Sequence, residues 1–378
     1  MSFYSKQFMF FKNTPLMMIF KLIKYPMLFL GLMFLVQTAQ AQIGQDSTRN
    51  VITTAVPFLS ISPDARAAGM GDVGAATSPD ANASYWNVSK LAFTKQDWGL
   101  AVSFTPWLQK LVDDMSVSYL SFYKHVSKQQ TVGLSVRYFD MGHVQFTDAN
   151  GQLLQDFNPR ELAISGSFAM KLSDKLSIGG TARYINSNLS GNVSNGVVSN
   201  SRPGNTASID LATYYKTKLN INSMDANLSL GAVISNIGPR ITYSNPQQKD
   251  FIPMNLRLGS AFEAQFDEYN KITFALDFNK LLVPTPPIRD ANGVIISGKD
   301  DDRNLIPAIL GSFGDAPDGF KEELKEFTLS FGVEYWYNNI FALRGGYFSE
   351  AEDKGNRKYY TLGLGIRYQA FGLDFAYV

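Results

Sequence analysis

The chain has 378 residues, with 34 Lys and Arg against 33 Asp and Glu, no Cys, 28 Phe and 18 Tyr. A formal net charge of +1 gives no basic footprint for nucleic acid, and zero Cys excludes disulfide scaffolds, thiolate metal sites, cysteine nucleophiles and lipid attachment through an N-terminal Cys. At 18% charged and 13% aromatic residues the chain is too apolar for disorder, yet beyond residue 42 it has no unbroken apolar run of about 18 residues that would make a membrane helix.

Residues 1–41 read as a secretory signal. Lys6, Lys12, Lys21 and Lys24 supply positive charge, 27–36 is an apolar stretch, and Ala39-Gln40-Ala41 is a small-x-small cleavage pattern leaving Gln42 first. The alternative is an N-terminal anchor helix, for which the apolar run is short. Met17 or Met18 also qualifies as a start.

The segment 42–96 is rich in small residues. Gly69-Met70-Gly71-Asp72-Val73-Gly74 matches G-x-G-x-x-G, but a dinucleotide site needs a strand just before it, and 62–68 reads as none. The simpler reading is a tight backbone packed against a wall, where glycine permits close approach. Ser78-Pro79-Asp80 predicts a short helix over 79–92, with Ser78 as N-cap, Pro79 at the first helical position, and Tyr85 and Trp86 on one side.

From Asp97 onward the chain alternates at period two. In 359–369 one face carries Tyr360, Leu362, Leu364, Ile366 and Tyr368, and the other Thr361, Gly363, Gly365 and Arg367. Period two means strands with one apolar and one polar face. A soluble sandwich alternates too, but its strands average about 5–6 residues, whereas membrane strands need about 9–11. Thirteen such segments lie near 97–108, 114–125, 131–141, 160–172, 176–186, 206–218, 226–236, 254–266, 271–280, 326–337, 339–348, 357–369 and 371–378. Their polar face holds Arg137, Lys171, Arg183, Asp210, Arg257, Glu263, Asp277, Glu334, Arg344, Arg367 and Asp374, which suits a wet or plugged lumen with Leu, Phe and Tyr toward lipid. Connections at 142–159, 187–205, 237–253 and 281–325 are long and alternate with tight turns, as in an outer-membrane barrel with its long loops outside. The expectation is therefore an all-β, transmembrane antiparallel β-barrel over 97–378, with 42–96 as a plug whose Asp64, Arg66 and Asp72 pair with lumen charges. Bacterial barrels have an even strand count, so a fourteenth strand is expected to be missing from the thirteen present.

The loop 281–325 is unusual. Pro284, Pro286, Pro287, Pro307 and Pro317 stiffen it, while Leu305, Ile306, Ile309, Leu310, Phe313 and Phe320 make it apolar for an exposed segment. Such a loop either folds over the barrel mouth or binds a protein. Asp300-Asp301-Asp302 lacks the spaced ligands and turn glycine of a calcium loop and reads as a solvated acidic stretch. His125 and His143, the only histidines, have no metal-like or triad-like partner in sequence. No enzyme, metal or cofactor is expected.

Three stretches carry a family resemblance: 53–66, with Pro57, Phe58, Leu59, Asp64 and Arg66; 68–77, with Gly69, Gly71 and Asp72; and Tyr85-Trp86-Asn87. Together they resemble the PorV (LptO) family of type IX secretion outer-membrane proteins, within the wider group of barrels similar to the FadL fatty-acid transporters. In that wider group this region is a plug, with Asn-Pro-Ala where this chain has Asn87-Val88-Ser89. The resemblance implies a barrel of the FadL type with fourteen strands. It also implies a non-enzymatic carrier that binds the C-terminal signal domain of exported cargo at the SprA/Sov translocon and delivers it to the PorU sortase, together with PorQ and PorZ. Leu305, Ile309, Leu310, Phe313 and Phe320 are the expected partner contacts, and outer-membrane lipid the surroundings. The alternative is a FadL-like channel for hydrophobic small molecules, against which the charged inward face argues.

Overall fold

The computed structural model describes residues 50–147, 150, 152–189, 202–221, 224–243, 247 and 249–378. The expected signal segment 1–41 and residues 42–49 lie outside them.

Thirteen strands form one antiparallel sheet in chain order: β1 (Trp98–Pro106), β2 (Ser116–His125), β3 (Gln130–Asp140), β4 (Arg160–Lys171), β5 (Leu176–Asn188), β6 (Gly204–Ile221), β7 (Met224–Ile237), β8 (Asn255–Gln265), β9 (Asn270–Leu281), β10 (Thr328–Tyr337), β11 (Phe341–Ser349), β12 (Lys358–Tyr368) and β13 (Phe371–Tyr377). Each occupies one of the period-two segments. About half of the connections are short, and the one between β10 and β11 shows why its residues are there. Asn338 and Asn339 both adopt φ +52, the left-handed pair of a two-residue hairpin turn that asparagine tolerates, and Ile340 N closes it on Tyr337 O at 3.0 Å.

Burial along the strands is inverted relative to a soluble protein. In β12 the buried residues are Thr361, Gly363 and Gly365, whereas Leu362 and Leu364 on the opposite face are more than half exposed. In β4 the buried face is Glu161, Ala163, Ser165, Ser167 and Ala169, with Ile164 and Phe168 outward. A sheet that exposes its Leu and Phe and hides its Ser, Thr and Glu is built for lipid outside and polar packing inside. No helix among the described residues is long and apolar enough to cross a membrane, and it is the strands that cross.

The sheet rolls into a barrel around residues 50–96. That segment makes hydrogen bonds to Ser121 of β2, Arg137 of β3, Ser177 of β5, Thr213 of β6, Asp277 of β9, Glu334 of β10 and Thr361 of β12, which places walls on every side of it. Among the described residues β1 pairs only with β2 and β13 only with β12, and no ladder joins β1 to β13.

The main apolar core lies inside the barrel near the long-loop end. Val56, Phe58 and Leu59 meet Val117, Phe139 and Ile185 from the wall and Ile252, Met254 and Leu282 from the loops. The loop between β9 and β10 is folded. Its helix Leu305–Gly311 buries Ala308 in this core and lays Leu305 and Ile309 against it. Its second helix, Phe320–Lys325, is clamped by two buried lysines. Lys280 pairs with Glu323 at 3.1 Å and with Glu326, while Lys354 pairs with Glu322 at 2.5 Å and Glu326 at 3.0 Å. The loop is thus folded over the mouth of the barrel, with part of its apolar content buried in the core. The acidic stretch is also engaged, with Asp301 on Arg289 and Asp302 on Arg240, both at 2.6 Å.

Candidate functional site

The plug begins with a single turn, Pro57–Ser60, with Pro57 exposed at its first position and Phe58 fully buried and stacked on Phe139 at 6.4 Å between centroids. Arg137 holds this turn by donating from Nη1 to the carbonyls of Phe58 and Leu59, both at 2.9 Å. Asp64 then caps the helical turn Ala65–Ala68, its Oδ1 accepting from Ala67 N at 3.0 Å, while Oδ2 accepts from Trp86 Nε1. One carboxylate therefore joins the two ends of the plug.

Arg66 is the plug's main electrostatic contact with the wall. Its Nε and Nη2 donate to the two oxygens of Glu334 at 2.9 and 2.8 Å, a bidentate pair that is nearly wholly buried. Nη1 reaches Asp80 at 2.7 Å, Nη2 reaches Ser78 Oγ at 2.7 Å, and Arg344 Nε adds a second cation to Glu334 at 2.7 Å. Burial opposes the Arg66 charge, but Glu334 and Asp80 outweigh it and hold the guanidinium well above its ordinary pKa.

This grip corrects the expected helix over 79–92. Ser78 does not cap a helix, because its hydroxyl and carbonyl oxygen are both taken by Arg66. Asp80 instead forms a local turn by accepting from Asn82 N at 2.9 Å, and helical residues begin only at Ala83–Trp86 and continue, after Asn87, as a tighter turn over Val88–Phe93. Asn87 organises the break. Its Nδ2 donates to Ala75 O and Thr213 O, and its Oδ1 accepts from Ser89 N.

The glycine motif is a packing surface. Gly71 has φ +70, and a Cβ there would meet Tyr347 N at 2.6 Å; at Gly74 it would fall inside the Trp86 ring. A Cβ on Gly69 would stand 2.8 Å from Gly363 Cα, so plug glycine faces wall glycine. Buried amides of this stretch are captured by the wall. Gly71 N donates to Thr361 Oγ1 at 2.8 Å, and Gly74 N and Ala75 N both donate to Asp277 Oδ2 at 2.8 and 2.9 Å. Of the three charged plug residues expected to pair with lumen charges, Arg66 does so. Asp72 instead accepts from the phenol of Tyr359 at 2.7 Å, and Asp64 accepts from an indole.

Sequence reasoning missed Lys90. It is 1% exposed, and its Nζ donates to Gly74 O at 2.7 Å and Thr77 Oγ1 at 3.0 Å; burial pulls its pKa down to about 8. A lone lysine inside the apolar run 88–93 was the available signal. Asp64 is shifted the other way. Burial first, then the neighbouring Asp80 charge, push its carboxyl up to about 6. Since the folded value lies above the unfolded one, this group's contribution is full below about pH 4 and is lost as pH rises through about 6. On the order of 3 kcal/mol of stability therefore declines over that window. Urea unfolding midpoints measured from pH 4 to 7 should carry this downward component, and Asp64→Asn should remove it while lowering stability overall. An identical slope in the variant would assign the effect elsewhere.

The five expected partner contacts are split by the structure. Leu305 and Ile309 face the core, whereas Leu310, Phe313 and Phe320 are outward at 71%, 48% and 75% exposure, joined by Ile306 and Leu324. His125 closes β2 against Thr94 and Thr131, and His143 donates its backbone N–H to Asp114. Among the described residues no group of three His, Cys, Asp or Glu is placed to hold a metal ion.

Several solved structures are similar to this chain. The toluene transporter TodX of Pseudomonas putida is 12% identical over 80% of this chain and 88% of that one, with a TM-score of 0.41. The CymD monoaromatic hydrocarbon channel is 14% identical over 83% and 91%, with a TM-score of 0.40. A FadL homologue of Pseudomonas aeruginosa is 11% identical over 87% and 90%, with a TM-score of 0.38. No curated protein matches the chain. The model of the family described as type IX secretion system protein PorV matches residues 44–288, well over half of the sequence, and the chain belongs to that family.

Proposed function

We infer that this PorV-family chain acts as a non-enzymatic outer-membrane component of type IX protein secretion. We propose that it binds the C-terminal signal domain of exported cargo as the cargo leaves the SprA/Sov translocon, and hands it to the PorU sortase in an attachment complex with PorQ and PorZ. Residues 1–41 direct export and are cleaved. One observation carries this reading. The β9–β10 loop holds Leu310, Phe313 and Phe320 outward on a base pinned by Lys280 and Lys354, so the apolar side chains are displayed with little ordering entropy left to lose on binding. Aromatic and aliphatic anchors on a rigid support are the usual source of binding energy at protein interfaces. The rival reading, a conduit for hydrophobic small molecules, is disfavoured by a lumen crossed by the plug and lined by ion-paired side chains.

Replacing Leu310, Phe313 and Phe320 together by Ser leaves the ion pairs of the buried lysine clamp in place and removes only the Phe313 ring, 5.8 Å from Lys280 Nζ, from its surroundings. Capture of cargo signal domains by the purified variant should fall by at least about tenfold, the equivalent of some 1.4 kcal/mol. The heat-modifiable barrel should persist. Unchanged capture would refute the loop as the docking surface. In cells, a knockout should leave exported cargo unattached while long-chain fatty-acid uptake continues, and the reverse pattern would favour the channel.

A further inference from the structure

A cavity of about 330 Å³ lies in the lumen between the plug and the long-loop end of the barrel, within the size range of small-ligand sites. Its floor includes Tyr85 and Trp86 of the plug, and its wall brings in five cations. Three are neutralised: Arg183 by Asp210 at 2.6 Å, Lys354 by Glu326, and Arg357 by Glu350 at 2.8 Å. The remaining two, Arg137 and Arg257, have no carboxylate within 4.0 Å among the described residues.

Arg137 is 4% exposed, and its hydrogen bonds to Phe58 O and Leu59 O leave its charge uncompensated. Arg257 donates from Nε to Asn279 at 2.7 Å, and its terminal nitrogens have no acceptor among the described residues. Both guanidinium carbons stand by the Tyr85 ring, at 4.3 and 5.7 Å from its centroid, and Arg257 also lies 4.6 Å from the Trp86 centroid. These ring contacts order the cations without removing their charge. Of the carboxylates lining the cavity, only Asp72 lacks an ion pair; it accepts from Tyr359 and lies near enough to Arg257 and Arg357 to feel their charges without pairing with either. Tyr119 Oη and Ser330 Oγ line the same space, buried and without a hydrogen-bond partner in the described protein.

We propose that this lumen cavity binds a small organic anion, a carboxylate or phosphate ester carried on a flat ring, held by Arg137 and Arg257 with the ring against Tyr85 and Trp86. The buried Arg137 guanidinium, with no carboxylate paired to it, is costly unless an anion joins it, and the half-buried Arg257 beside it, in no ion pair of its own, is placed to share that anion, whereas a purely greasy ligand would leave both unpaired. The forked donors suit two oxygens of one acid group. The site is independent of the cargo-binding loop surface, which lies on the outside of the same loop.

The test is calorimetric titration of the intact protein in detergent with benzoate, phenyl phosphate and the neutral benzyl alcohol. Benzoate or phenyl phosphate should bind, and benzyl alcohol should bind at least about tenfold more weakly. Arg257→Gln should lower the anion affinity by about tenfold or more, the loss expected for a charge-assisted contact. Arg137→Gln should do the same, but it also releases Phe58 and Leu59, so the Arg257 variant and the wild-type comparison of charged with neutral probe decide the matter. Equal binding of benzoate and benzyl alcohol, no binding of either anion, or an unchanged affinity in a heat-modifiable Arg257→Gln barrel would each overturn the proposal.

Discussion

Glu334→Ala is expected to destabilise the barrel by about 3–5 kcal/mol, the cost of breaking a buried ion pair from one side. Glu334 is 1% exposed and accepts from Arg66 through both oxygens and from Arg344 through one. Removing it takes a buried carboxylate partner from each of two lumen guanidiniums. Arg66 keeps Asp80 and Arg344 keeps Asp374, at 2.7 and 2.8 Å, so the plug should loosen rather than be expelled. Urea unfolding of the detergent-solubilised protein measures the loss, and Glu334→Gln, which keeps two polar atoms in place, should lose less. A cost below about 1 kcal/mol for the alanine variant would mean that water already reaches this pair.

Gly346→Val is expected to displace the plug at its glycine turn. A Cβ at Gly346 would stand 2.1 Å from Gly71 N and from Met70 C, and these are backbone atoms with no rotamer to retreat into. Gly71 cannot step aside freely, since its φ of +70 and its hydrogen bond to Thr361 fix the turn. Overpacking a close-packed contact costs about 1–3 kcal/mol, and loss of the buried Gly71–Thr361 bond adds to it. The readout is protease cleavage within 65–75, from which the native plug is shielded. A variant plug as resistant as the native one would show that wall and plug have room to separate.

The strands were legible because alternation is a local signal. The two faces of 359–369 could be written down from the sequence alone, and they are the two faces of β12. The plug was legible only in part. Asp64, Arg66 and the glycines could be singled out by type, but the wall partners of Arg66, Gly71 and Gly74 lie more than two hundred residues away, and no spacing rule links Arg66 to Glu334. The misplaced helix has the same origin. Ser78 and Pro79 carry a sound local signal for a helix start, and a tertiary contact with Arg66 overrode it. Lys90 left a signal only in its placement within 88–93, whereas the lack of an ion pair at Arg137 and Arg257 was unreadable, because it lies in what fails to surround them. The loop was half legible: its apolar content was plain, but which side chains face the core depends on where helix Leu305–Gly311 docks.

The wide reach of the plug's contacts bears on how such a molecule is assembled. Gly71 and Thr361, joined by a hydrogen bond, are 290 residues apart, and Arg66 and Glu334 are 268 apart. A segment carrying Trp86 and a bundle of buried charges has no route into a sheet already curled shut, so the strands must wrap it as they pair, with the plug as their mould. Closing loops of that length is slow, and until it happens the arginine and glycine surfaces of the plug stay without partners. The rate of assembly should therefore respond to plug substitutions such as Arg66→Ala even where the finished barrel tolerates them.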